Sequence, residues 1–220
     1  MNSDFLTTIP CRSFRYGSDA WMIEFAAEIS DRAWETAAVI RKQLETRPPE
    51  HLIESTFSYT RVLLEFEQGS CPDEAPSFSW LSLPIHTPTI KVIDVCYDGL
   101  DLRRVSEFCG LTESEVIRLH SEPIYRVHFL GFAPGFPYMS GLSERLFTPR
   151  LETPRVCIPA GSVGIGGEQT GIYPLPTPGG WNLIGRIREK LFDPSAPQDQ
   201  CTLLKAGDRI QFRPVTSFDR

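Results

Sequence analysis

Eleven of the chain's 16 glycines and eight of its 19 prolines fall between Phe129 and Arg186. Each glycine opens backbone that other residues avoid, and each proline fixes one φ angle and removes a donor. The run FLGFAPGFPYMSGLSERLFTPRLETPRVCIPAGSVGIGGEQTGIYPLPTPGGWNLIGR must therefore fold as short pieces joined by defined turns. A flexible linker would lack its aromatics and Val/Ile pairs. The strand candidates RVCIPAG, SVGIG, TGIYP, WNLIGR and, further on, RIQFRPV alternate with Gly/Pro turns, a rhythm that predicts a barrel or closed sheet.

Upstream the patterning differs. CRSFRYG and AWMIEF are strand-like, and Ser30 opens a predicted helix to Thr46 with Trp34, Ala37, Ile40 and Leu44 near helical spacing. TFSYTRVLLEFE predicts a strand pair, and QGSCPDEAPSFSWLSLPIHTP reads as a Pro/Ser-rich connector with a domain junction near Pro84. TIKVIDVCYD is the next strand, followed by a short helix from Asp101 to Cys109 that Gly110 stops. Thr112 and Glu115 form a T-x-x-E capping box for a second helix ending near His120, and IYRVHFLGF is again a strand.

Composition excludes several functions. A net charge of −6 and a pI near 5.3 disfavour nucleic acid, whose phosphates call for clustered Lys and Arg. No stretch approaches the roughly 18 apolar residues of a membrane span, and MNSDFLTTIPCRSFRYG lacks the pattern of a secretion signal. The chain is expected to be cytoplasmic, without a membrane or nucleic-acid partner. Six cysteines spread without C-x-x-C are expected to stay reduced, and four histidines without ligand spacing give no metal site.

Three groupings could carry chemistry. Phe132-Ala133-Pro134-Gly135-Phe136-Pro137-Tyr138 sets two prolines around a glycine while presenting Phe132, Phe136 and Tyr138; it is either a rigid pocket wall or a core plug under a tight turn. Ala160 to Gly171 offers backbone N–H groups with the Ser162 and Thr170 hydroxyls, which suits an anion cradle or, equally, tight hairpins. It is no Walker A loop, and Gln169 stands where G-x-G-x-x-G needs its last glycine. Arg150, Arg155 and Arg186 suit a carboxylate or phosphate, or else surface ion pairs. His120, at the predicted helix C-terminus, has its cationic form favoured and is an acid/base group or a cap. Asp98, Asp101 and Glu168 are candidate bases that nothing in the sequence pairs.

The segments LHSEPIYRVHFLGFAPGFPY, TPRLETPRVCIPAGSVGIGGEQTGIYP, TPGGWNLIGR and KAGDRIQF, in this order and spacing, resemble the family of 5-oxoprolinase B subunits. That family is also known as allophanate hydrolase subunit 1 or Kip-type histidine kinase inhibitor. The resemblance implies an α+β protein: a small N-terminal α/β sandwich domain over 1–83 and a cyclophilin-like β-barrel domain over 84–220, without prolyl isomerase activity. It implies a component, incomplete alone, of an ATP-dependent cyclic amide hydrolase. That complex opens 5-oxo-L-proline to L-glutamate with an A subunit and with a C subunit related to allophanate hydrolase subunit 2, ATP acting at the complex level. Matched to the motifs, His120, Arg150 and Arg155 are implied as catalytic. Pro134, Gly135, Phe136, Tyr138, Gly161, Ser162, Gln169, Thr170, Tyr173, Trp181 and Arg186 are implied as substrate- or phosphate-binding, with no metal. Within this set Gln169, Thr170 and the amides from Gly161 to Gly167 are expected around a substrate or phosphate group, opposite Arg150 or Arg155. The alternatives are a regulator that binds a histidine kinase and a component of an allophanate hydrolase or carboxyltransferase-like complex. Leu100 and Gly166 depart from the family's usual Pro and Ala.

Overall fold

A computed structural model describes residues 8–80, 90–197 and 200–218. Period-two patterning in the N-terminal third gives a four-stranded antiparallel sheet of β1 (Arg12–Arg15), β2 (Ala20–Glu24), β3 (Leu52–Phe57) and β4 (Arg61–Phe66), in the order β1-β2-β4-β3. In β4 Val62, Leu64 and Phe66 are buried while Arg61 and Glu65 are exposed. Helix α1 (Asp31–Thr46) starts where Ser30 Oγ accepts the Ala33 N–H at 3.1 Å, satisfying one of the donors a helix leaves open. Its Ala37, Ile40 and Leu44 share a core with Ile23, Val62 and Leu64, a helix-on-sheet sandwich.

The connector after Glu67 is more ordered than its composition predicts. Phe78 is buried and Trp80 packs on the same core. The Gln43 carboxamide donates to Ser79 O at 2.7 Å and accepts the Ser79 N–H at 3.1 Å. Two aromatic anchors supply enough apolar burial to hold a Pro/Ser-rich stretch against the sheet. The expected junction near Pro84 lies outside the described residues; by its internal contacts the chain divides into Met1–Thr87 and Pro88–Arg220.

The second unit is built on β5 (Ile90–Cys96), α2 (Leu102–Cys109), α3 (Glu113–Ser121), β6 (Ile124–Leu130), β7 (Pro137–Ser140), β8 (Arg155–Ile158), β9 (Ser162–Gly166), β10 (Gln169–Ile172), β11 (Thr177–Gly179), β12 (Asn182–Arg186) and β13 (Arg209–Val215). Seven strands close a barrel in the order β10-β7-β6-β13-β5-β12-β9, with β9 returning to β10. Closure removes free sheet edges. β13 pairs parallel with β5 from Arg209 opposite Ile90 to Val215 opposite Cys96. RVCIPAG does not join the barrel: β8 and β11 form a separate two-stranded antiparallel piece. Gly110 ends α2 in the left-handed region at φ 65°. The Thr112–Glu115 capping box opens α3 with both reciprocal bonds present. Val95, Tyr125, Val127, Ile165, Ile172, Ile184, Ile210 and Phe212 fill the barrel core.

Candidate functional site

The FAPGFPY motif makes a wall by its turn chemistry. Pro134 occupies the second position and Gly135, at φ 83°, the third position of a β-turn closed by the Phe136 N–H donating to Ala133 O at 3.0 Å. That third position demands positive φ, which glycine supplies at no steric cost. The turn delivers Phe136, buried, into a ring cluster: its centroid lies 5.3 Å from Tyr173 and 5.4 Å from Trp181, both T-shaped, and 5.2 Å from Tyr138. Edge-to-face contacts of this kind align positive ring edges with negative faces and fix the rings relative to one another.

The glycines of the following hairpin are the seat for Trp181. A Cβ added at Gly166 would run into the indole, one at Gly171 would stand 2.9 Å from Phe136 and 3.0 Å from Trp181, and one at Gly164 3.3 Å from the Trp181 Cβ. G-x-G on β9 and the glycine on β10 thus clear one patch of barrel wall for an indole to lie against. The Tyr173 hydroxyl packs in the same way over Gly179 and accepts the Trp181 backbone N–H. Burial pushes the Tyr173 and Tyr138 phenols upward, so both are neutral donors at physiological pH, with Arg150 pulling the other way.

These rings line a pocket of about 220 Å³ with Arg150, Pro154, Pro178, Gly179 and Gly180. Phe136, Tyr173 and Trp181 are buried, while Arg150 is exposed and places its guanidinium carbon 5.9 Å from the Trp181 ring. The backbone on either side of Arg150 is tied down. The Leu151 N–H donates to Gly180 O at 2.7 Å, and the fully buried Asn182 carboxamide donates to Pro149 O and to Ile165 O, each at 3.0 Å. Asn182 Oδ1 in turn accepts from Arg104 of α2 at 3.0 Å. Position 150 is therefore pinned to β9, β12 and α2. The result is a small apolar box of flat rings with one cation and neutral phenols, which can take a compact planar ring bearing a single anionic group.

Phe136, Tyr138, Tyr173, Trp181 and Arg150, named from the sequence, meet here, and Pro134 and Gly135 supply the turn. The other named residues go elsewhere. His120 lies in the last turn of α3, fully buried and stacked on Phe212 at 4.7 Å. Its Nδ1 accepts from the Tyr97 hydroxyl at 2.8 Å, and its Nε2 donates at 2.8 Å to Thr170 Oγ1, which donates to Gly164 O at 3.0 Å. Burial pushes its pKa down to about 3, so the cationic form expected at a helix terminus is replaced by a neutral core imidazole. Desolvation outweighs the helix dipole because no water reaches the ring.

Arg155 extends toward Asp101, a buried carboxylate that accepts from Arg155 Nη2 at 2.8 Å and from the Leu183 N–H at 2.7 Å. Arg186 forks onto Asp98 at 2.9 Å on the surface. Of the three carboxylates left unpaired by sequence, Asp98 and Asp101 are thus arginine partners, and Glu168 is exposed at the β9–β10 turn. Gly161, Ser162, Gln169 and Thr170 belong to the barrel wall. The Gly161 N–H donates to Tyr173 O and the Gly167 N–H to Thr148 O, both at 2.7 Å, and β9 is paired on both sides. The structure shows the hairpin reading of these glycines: the Gly161 and Gly167 amides and the β9 strand are bonded within the barrel wall. Arg104 and Asn182 were missed. Asn182 had a signal in the W-N-L-I-G-R motif, whereas Arg104 sits in an ordinary helix.

Comparison with known proteins adds an independent line. The carboxyltransferase domain family, subdomain C and D, matches residues 11–204. The 5-oxoprolinase B subunit of Escherichia coli O157:H7 is 54% identical over 125 residues, 56% of this chain and 56% of that protein. In that alignment the chain spans about half the length of the relative. The 5-oxoprolinase B subunit of Bacillus subtilis (strain 168) is 34% identical over 223 residues, 92% of each chain. Among solved structures, the crystal structure of TTHA0988 superposes with a TM-score of 0.72 at 33% identity, covering 94% of this chain and 40% of that one.

Proposed function

Since the chain belongs to the family of 5-oxoprolinase B subunits, within the carboxyltransferase subdomain C and D proteins, we infer that it is the B component of an ATP-dependent 5-oxoprolinase. With the A and C components it opens 5-oxo-L-proline to L-glutamate. The observation that carries this reading is the meeting of Phe136, Tyr138, Tyr173 and Trp181 with one guanidinium, Arg150, in a single pocket. At about 220 Å³ it is smaller than the roughly 300 Å³ at which sites for drug-sized ligands begin, and so is sized for a small metabolite. 5-Oxoproline is such a molecule: a flat five-membered lactam carrying one carboxylate.

In this reading the lactam ring lies among the aromatic faces and its carboxylate pairs with Arg150, a charge-assisted contact strengthened by the apolar surroundings. The neutral Tyr138 and Tyr173 phenols donate in this reading to the lactam carbonyl oxygen, where negative charge grows when the carbonyl carbon is attacked. Net hydrolysis breaks that bond: the ring nitrogen leaves as an amine and an oxygen from water ends in the new carboxylate. A lactam is a stable amide, so the phosphoryl activation that ATP supplies is assigned to the assembled complex. The Gly161 and Gly167 amides are held by Tyr173 O and Thr148 O, so this reading gives the hairpin no part in that step and treats the pocket as incomplete for catalysis alone.

The test is co-expression with candidate A and C components and measurement of 5-oxoproline-dependent ADP and glutamate formation. Turnover above that of the partners alone is expected. No stimulation, together with inhibition of a cognate histidine kinase, would replace the enzyme reading by the Kip-type regulator. Within an active complex Arg150→Gln should raise KM for 5-oxoproline by about tenfold or more, the loss expected for one charge-assisted contact.

A further inference from the structure

Phe132 carries two unfavourable features at one position. Its φ is 66°, in the left-handed region, and the Ala133 N–H donates across it to Gly131 O at 2.7 Å, closing a γ-turn of the strained hand. Glycine would occupy that conformation freely, whereas a Cβ-bearing aromatic does not. The ring is also 63% exposed, although burying phenylalanine is among the strongest favourable terms available to a chain. The surroundings enforce the geometry: the Gly131 N–H donates to Phe136 O at 3.1 Å and the Phe136 N–H to Ala133 O at 3.0 Å. Strain held in place by neighbouring bonds is characteristic of functional positions.

The ring is neither stray nor packed away. It meets Phe136 edge-on, centroids 5.5 Å apart at 77°, and lines the same pocket as Arg150 and Trp181. Beyond the Phe136 edge, most of the ring stays exposed. An occupant of the pocket would cover it, and the exposed face would then contribute to ligand affinity.

Resting on the reading of this pocket as a 5-oxoproline site, we propose that Phe132 is its specificity-determining wall, the face that covers the lactam ring and rejects the opened product. The substrate brings one carboxylate, matched by Arg150, and an otherwise neutral ring. Glutamate brings a second carboxylate and an ammonium group, and an aromatic face offers the carboxylate no hydrogen bond in exchange for its water. Arg150 answers one negative charge; the Tyr138 and Tyr173 phenols meet the other only as neutral donors, and the Phe132 face adds no countercharge. The same wall that favours binding of the closed ring therefore favours departure of the open chain.

The test compares wild type, Phe132→Gly and Phe132→Tyr, both as the full chain and in the complex with the A and C components. Glycine relieves the backbone strain, so the thermal midpoint of the chain should not fall. KM for 5-oxoproline should nonetheless rise about tenfold at nearly constant kcat, and inhibition by glutamate should strengthen relative to substrate. Phe132→Tyr, which keeps the ring, should retain the wild-type KM. An unchanged KM in Phe132→Gly overturns the proposal, as does loss of co-purification with the other components in that variant, which would make Phe132 a contact to one of them. Calorimetric titration of the full chain with 5-oxoproline and with glutamate separates this result from the functional reading. A wild-type complex inert toward 5-oxoproline sinks the reading, whereas equal lactam binding by wild type and Phe132→Gly, or none by either, sinks the role of Phe132.

Discussion

The imidazole of His120 shows how far a single side chain can depart from its sequence context. Its folded pKa lies near 3 against an ordinary 6.5, so below pH 6.5 the unfolded chain takes up a proton that the folded chain refuses. The stability it contributes is present above pH 6.5 and is lost progressively as pH falls toward 3. His120→Leu should lower the thermal midpoint at pH 7 but shrink the drop between pH 7 and pH 5, measured by circular dichroism. Turnover by whatever fraction folds should persist, because the ring serves Thr170 and Tyr97 rather than the pocket. Asn182 is the converse case, a buried amide whose loss is felt at the site. Asn182→Ala strips a partner from Pro149 O, Ile165 O and Arg104, and should cost about 1–3 kcal/mol of stability by denaturant titration. KM should rise as Arg150 loses its tether, and a KM equal to wild type would show that the tether does not matter.

Among the elements, the β9–β10 hairpin does the most to shape the pocket. Its glycines exist for an indole and a phenyl ring rather than for flexibility. Gly171→Ala should press on Phe136 and Trp181, lowering stability by about 1–3 kcal/mol and changing the near-ultraviolet circular dichroism of the aromatic cluster. An unaltered spectrum and midpoint would mean that the indole has room to spare. At α3 the capping box is local and separable from the site. Thr112→Ala should cost about 1 kcal/mol in a denaturant titration and leave ligand affinity alone.

At the level of the whole molecule, the barrel core and every residue lining the pocket fall within Pro88–Arg220. On the proposed function, a fragment of residues 88–220 should therefore unfold cooperatively and bind 5-oxoproline with the affinity of the full chain; an unfolded fragment, or one that does not bind where the full chain does, would show that the first unit is needed. Closure depends on β13 lying parallel to β5, a pairing across more than a hundred residues of sequence that no local pattern announces. The turns, caps and strand candidates were legible from sequence because they depend on neighbours: Gly110 after α2, Thr112 with Glu115, and Pro134-Gly135 in its turn each act within a few residues. The aromatic run was visible as well, but its sequence left open whether the rings wall a pocket or plug the core. Sequence could not say which polar groups the fold would leave available. Whether an arginine meets a carboxylate, a histidine meets water or a glycine amide meets a strand depends on segments brought together from distant positions. Tertiary packing spent Arg155 on Asp101, His120 on the core and the glycine amides on the β-ladder, and left Arg150 facing the pocket, because burial and hydrogen-bond satisfaction are decided by what lies alongside in space.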